Sequence, residues 1–224
     1  MTMNESISAA ASALGIRVPS RGELVADGVV HVVGIALGVI GAVVLIVLAA
    51  LKHTYVEIIA VSIYAAGMIA MFSLSALYNI ARKSRYREYF QRLDHSGIFL
   101  MIAGTYTAFT MLMLKGDWAI WLTVVVWSVA LFGIAVKLLW PKRLVGVTTG
   151  LYVALGWVGI VAIEPIFASL GVAALVLLGI GGALYTIGVV FHLWERLPYQ
   201  NAIWHGFVVA AAGTHYGAVI TSLF

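Results

Sequence analysis

The chain has 224 residues, 63% of them hydrophobic and only 10% charged, with a mean hydropathy of +1.06. A water-soluble domain of this length carries about 25% charged residues. There is too little polar surface here to cover a globule in water, so most of the chain belongs in lipid. Cysteine is absent, which excludes a disulfide framework and a thiolate metal site.

The opening MTMNESISAAASALGIRVPS lacks the basic start and long apolar run of a secretory signal. Residues 1–24 read as a cytoplasmic N-terminal tail, and residues 25–224 as one transmembrane domain. A membrane helix needs about 20 mostly apolar residues. Seven such segments follow in order, at roughly 27–51, 57–80, 94–114, 118–139, 144–163, 167–191 and 201–223. The breaks between them are polar or turn-forming: LKHTYVE, ARKSRYREYFQR, KGDW, WPKR, EP and HLWERLPYQN. The segments lack period-two alternation and are too long for barrel strands, so the predicted fold is all-α. Glycines spaced by three or four, such as Gly34, Gly38 and Gly41 or Gly146, Gly150 and Gly156, predict close helix packing.

Lysine and arginine set the direction. With the N-terminus inside, Arg17, Arg21, Arg82, Lys83, Arg85, Arg87, Arg92, Lys137, Lys142, Arg143 and Arg196 all belong to cytoplasmic connections. Only Lys52 and Lys115 are left outside. The excess of positive charge on cytoplasmic loops predicts an N-terminus inside and a C-terminus outside, in the inner (plasma) membrane. The net charge of +4 follows from this bias. It implies neither a nucleic acid nor a soluble protein partner.

The polar residues of the spans then gather at one depth. Glu23, Asp27 and His31 are spaced by four and share a face of the first helix. Ser75 and Asn79 stand four apart where the second span leaves the membrane, and Asp94, His95 and Ser96 open the third. The seventh opens with Asn201 and His205. Under the predicted topology all of these lie in the cytoplasmic half of the bilayer. Charged groups at membrane depth usually face an interior site or a wet cavity. Ordinary structural duties compete with that reading. Asp94 as a first-turn acid would be favoured by the helix dipole, and Ser75 and Asn79 would serve as interhelical hydrogen-bonding groups. His192 and His215 read as interior or interfacial histidines. His31 and His205 resist such explanations, since each lies a turn or more inside a span with polar company four residues away.

In order, DGVVHVVG, SALYN, RLDHSGIFLMIAGTYTAF and LPYQNAIWHGFVVAAAGTHY resemble the bacterial hemolysin III family, within the wider class of progestin and adiponectin receptor-like seven-helix proteins. The resemblance runs from about residue 20 to the C-terminus, and LDHSGIFLMIAGTYT is its most specific part. It implies a zinc ion near the cytoplasmic side, held by a histidine ending a Ser-x-x-x-His pattern on the second span and by a His-x-x-x-His pair on the seventh. An aspartate on the third span would hold a water near the metal. By position Ser75, Asp94 and His205 match. Asn79 and Asn201 stand where the other two histidines belong, and Ala108 replaces a proline.

An asparagine offers zinc only a neutral carbonyl oxygen, where the metal favours thiolate, imidazole or carboxylate. The expectation is therefore a metal-poor cavity, held by hydrogen bonds among Ser75, Asn79, Asp94, Asn201 and His205. A zinc site rearranged onto His205, Asp94, His31 and Asp27 is the alternative. Two functions follow from these. The first is a non-enzymatic membrane protein acting in lipid homeostasis or lipid sensing, with membrane lipid as its partner. The second is a ceramidase-like, metal-dependent hydrolase of lipid amides or esters, with Asp94 and Ser75 at the reacting centre. A proton-linked transporter lacks the internal repeats and broken helices such folds display.

Overall fold

The computed structural model describes residues 17–52, 54–140 and 145–224. Among these every regular element is helical. In chain order they are α1 (Arg21–Lys52), α2 (Tyr55–Ile80), α3 (Arg87–Leu112), α4 (Asp117–Leu139) and α5 (Val145–Trp157). A 3₁₀ segment (Val158–Ala162) then leads into α6 (Ile163–Ser169), followed by α7 (Val172–Leu193) and α8 (Gln200–Ser222). Residues 1–16 of the predicted tail, His53 and the PKRL stretch at 141–144 lie outside the described residues.

The element ends have local causes. Thr54 and Glu57 form a capping box at the start of α2, the threonine side chain taking the Glu57 N–H and the glutamate the Thr54 N–H. That satisfies two helix-end donors at once. Gly116 turns the chain from α3 into α4 with φ +65°, a conformation that favours glycine.

Five stretches are long and apolar enough to cross a membrane: Arg21–Leu51, Tyr55–Ile80, Asp117–Leu139, Gly146–Ser169 and Val172–Leu193. The other two long helices, α3 and α8, match predicted spans in position but carry Asp94, His95, Asn201, His205 and His215, which dilute their apolar character. The surface is apolar, and the charged groups of the spans are buried within an otherwise apolar interior. On α1, Val32 is 69% exposed while Asp27 is 2%. Apolar surface on this scale marks a face meant for lipid.

Two sequence expectations need correction. The fifth span was expected to end at Glu164–Pro165, yet Pro165 lies inside α6 and the break falls at Leu170–Gly171. Proline is tolerated there because the first turn of a helix has no intrahelical partner for its N–H. The third helix was expected to begin at Asp94. It begins at Arg87, so Asp94 lies well inside and the helix-terminus explanation of its charge fails.

Adjacent helices pack in a ring, α1 on α2, α2 along α3, α3 on α4, and α7 along α8, which returns to α1. Small residues make the closest approaches possible. A Cβ on Gly67 of α2 would stand 2.8 Å from the Leu100 carbonyl oxygen of α3. One on Gly133 of α4 would collide with the Phe99 ring, which is fully buried. Gly133→Val should therefore destabilise the protein by about 1–3 kcal/mol through overpacking. Thermal unfolding in detergent measures it, and an unchanged melting point would mean that Phe99 has room to move. The glycines of the first span behave as expected, Gly34 and Gly38 seating the Phe72 ring. Those at 146, 150 and 156 do not, since a Cβ there would meet nothing within 4 Å.

Candidate functional site: a polar cavity among the helices

The ring encloses a cavity of about 560 Å³. Every sequence-predicted site residue except Asp27 lines it: His31, Ser75, Asn79, Asp94, Asn201 and His205. Helical spacing explains the convergence. Ser75 and Asn79 are one turn apart on α2, as Asn201 and His205 are on α8, so each pair presents one face inward.

Asp27 stands behind the two imidazoles rather than on the cavity wall. Its backbone carbonyl takes a hydrogen bond from His31 Nδ1 at 2.7 Å, and its carboxylate Oδ1 one from His205 Nδ1 at 2.6 Å. Its second oxygen lies 3.7 Å from Arg82 Nη2. With both Nδ1 atoms so committed, each imidazole turns its Nε2 forward. The two Nε2 atoms meet the same group, Ser75 Oγ, at 3.2 Å from His31 and 3.3 Å from His205. Asp94 reaches the same hydroxyl from α3. A serine has one proton to donate, so three acceptors compete for it. The cluster is short of positive charge or protons at that point.

The asparagines are occupied differently. The Asn79 amide donates to the Ser75 carbonyl oxygen at 3.0 Å, and its oxygen accepts from Arg82 at 3.4 Å. Its nitrogen also approaches His31 Nε2 at 3.5 Å. An amide held between a guanidinium and a backbone carbonyl serves the hydrogen-bond network. The three positions that the resemblance assigns to zinc thus do not make a zinc site: only His205 among them carries a suitable donor. A different group brings suitable donors together. Asp27, His31 and His205 each offer one ligand atom, all within 4.8 Å of one another. Two imidazoles and a carboxylate are a donor set that catalytic zinc uses. Of the four residues named for a rearranged site, Asp94 falls outside this group.

Glu23 has a different duty. It is 6% exposed and accepts from the Ser20 and Tyr199 backbone N–H groups, each at 2.8 Å, and pairs with Arg17. Tyr199 holds φ 60°, an uncommon conformation for a residue with a Cβ. Glu23 therefore ties residues 17–20 to the α7–α8 connection beside the cavity mouth, where Arg17 and Pro19 form part of the wall.

The match to known proteins is extensive. The profile of the Haemolysin-III related family covers residues 23–216. The chain belongs to the haemolysin III family. This haemolysin III protein is 35% identical to the Hemolysin-3 homolog of Bacillus subtilis over 198 residues, 88% of this chain and 93% of that one. It is 34% identical to Hemolysin-3 of Bacillus cereus, again over 88% of the chain and 90% of that protein. A human relative, the Monocyte to macrophage differentiation factor, is 29% identical over 72% of the chain and 69% of its own length. No solved structure matches the chain significantly. With its long apolar helices, the haemolysin III protein described here is a multi-pass membrane protein.

Sequence reasoning missed Lys137, which it counted among the charges of a cytoplasmic connection. In the fold Lys137 lies inside α4, 2% exposed, on the cavity wall. Its place three residues before the WPKR break hid it, because a lysine at the end of a span reads as reaching the headgroup layer.

Proposed function

We propose that this haemolysin III protein binds a membrane lipid in its central cavity and acts in membrane-lipid homeostasis or lipid sensing. We further propose that it lies in the inner (plasma) membrane with its N-terminus and the polar end of the cavity facing the cytoplasm. The observation that carries the reading is the amphipathic character of the cavity. One end holds Asp94, His31 and His205; deeper along the helices the charged groups give way to Met101, Ile102 and Trp157, with the hydroxyls of Thr105, Tyr106 and Thr186 and the His215 ring among them. A second cavity of about 210 Å³, lined by Ile160, Ile163, Phe167 and Leu170, shares Tyr106, Trp157 and His215 with the first. A polar head with an apolar tail fits such a shape. The volume lies in the range of about 300–1,000 Å³ usual for ligand pockets. Placing ionisable side chains on a wet cavity, and not against acyl chains, also avoids a cost of about 2.5–3.5 kcal/mol each.

The test is native mass spectrometry of purified protein, delipidated and then offered lipids in nanodiscs. Saturable binding of one lipid per chain is expected. Protein that stays lipid-free at every concentration would overturn the reading.

The second reading is hydrolysis of a lipid amide or ester. The compact Asp27, His31 and His205 group favours it, with the excess of acceptors around Ser75. A divalent ion held there would supply an activated water and polarise the lipid carbonyl. In this reading Asp27 would join the two imidazoles in holding the ion, and Asp94, hydrogen-bonded to Ser75, would accept a proton. Elemental analysis decides between the two. About one zinc per chain, lost in His31→Ala, would favour the hydrolase; metal at background level would leave lipid binding alone.

A further inference from the structure

Lys137 is a buried cation that the site described so far does not use. It sits near the end of α4, where a lysine normally stretches its ammonium into water or the headgroup layer. Here only 2% of the residue is exposed, and that surface opens on the cavity. Among the described residues it has no hydrogen bond or carboxylate partner; its one polar contact is the Tyr152 ring, whose centroid is 6.0 Å from Nζ. Tyr152 donates from its hydroxyl to the His95 carbonyl at 3.1 Å, which fixes the ring between α3 and α5.

Two further donors share the cavity with the ammonium. His95 from α3 and His192 from α7 both line the cavity, and each lies within electrostatic reach of Lys137. The His192 ring rests on Trp204, with centroids 5.0 Å apart. The acidic neighbours are Glu195, exposed beside His192, and Asp94, which adjoins His95 and lies within electrostatic reach of Tyr152. An unpaired ammonium buried in low dielectric is costly. A bound anion with several acceptor oxygens would satisfy the lysine and both imidazoles together.

We infer that Lys137, His95 and His192 form an oxyanion subsite that takes the phosphate of a lipid headgroup, in the cavity they share with His31 and His205. This rests on the lipid-binding reading and narrows it to phosphate-bearing lipids. His31 and His205 would then meet the remainder of the headgroup, and the acyl chains would run toward Trp157.

The experiment measures binding of phosphatidic acid and of diacylglycerol with the same acyl chains to the full-length protein in neutral nanodiscs. Wild type should bind the phosphatidic acid about tenfold more tightly. Lys137→Met should bring the two to parity, with diacylglycerol binding unchanged as the check on folding, and Lys137→Arg should restore most of the preference. Equal affinities in the wild type, or a preference that survives Lys137→Met, would overturn the subsite while leaving lipid binding intact. Binding of neither lipid would overturn both. A third arm offers inorganic phosphate alone: competition as strong as that of the lipid would assign the subsite to free phosphate and overturn the headgroup assignment.

Discussion

Asp27→Ala should lower the stability of the folded protein by about 3–5 kcal/mol, the usual cost of removing one partner from a buried ion pair. Its carboxylate is the point on which the cavity wall is assembled. It holds His205 at 2.6 Å, stands 3.7 Å from Arg82, and through its own carbonyl orients His31. Without it the Arg82 guanidinium, itself only 29% exposed, keeps its charge and loses its counter-ion. His205 would lose the acceptor that fixes its tautomer and be free to rotate. Asp27→Asn should cost less than half as much, because the amide oxygen still accepts from Nδ1. For a chain of this size the alanine change corresponds to a melting point lower by on the order of 10 °C. Thermal unfolding in detergent at neutral pH is the measurement. An alanine variant that melts with the wild type would mean that Asp27 does not organise the wall.

The second large effect is a gain. Asn79→His combined with Asn201→His should raise zinc affinity at least about 100-fold over the parent. Loss of a mere supporting partner already costs 10–100-fold, so two restored ligands should exceed that. Both positions line the same cavity as His205, and Asn79 already sits 3.5 Å from His31 Nε2. The imidazole at 79 would be drawn from the Arg82 guanidinium toward the cavity centre, which removes its competing bond. Titration with zinc against a chromogenic chelator reads the change, and each single variant should show an intermediate affinity. A double variant no better than the parent would place at least one of these side chains too far from His205 to share an ion.

The first span shows how much was legible without coordinates. Asp27 and His31 four residues apart in an apolar run must lie on one face, and lipid cannot receive that face, so it turns inward. The same reasoning placed Ser75, Asn79, Asp94 and His205 in one pocket, and they are there. Two features resisted it. A proline after a glutamate reads as a helix end, yet Pro165 is accommodated in the first turn of α6. Nothing in the local pattern says that a 3₁₀ segment will bring that turn forward. Lys137 resisted for another reason: a lysine beside a loop looks solvated until a neighbouring helix is known to cover it.

The sequence by itself determined that this is a helical membrane protein, which helices carry polar groups, and on which faces. Those properties follow from hydropathy and from the 3.6-residue repeat, both local along the chain. Only the tertiary structure decided that Asp27 stands behind His31 and His205 while Lys137 lines the cavity they share. Those roles depend on how helices far apart in sequence are rotated against one another, and that rotation is set by packing contacts such as Gly67 on Leu100 and Gly133 on Phe99.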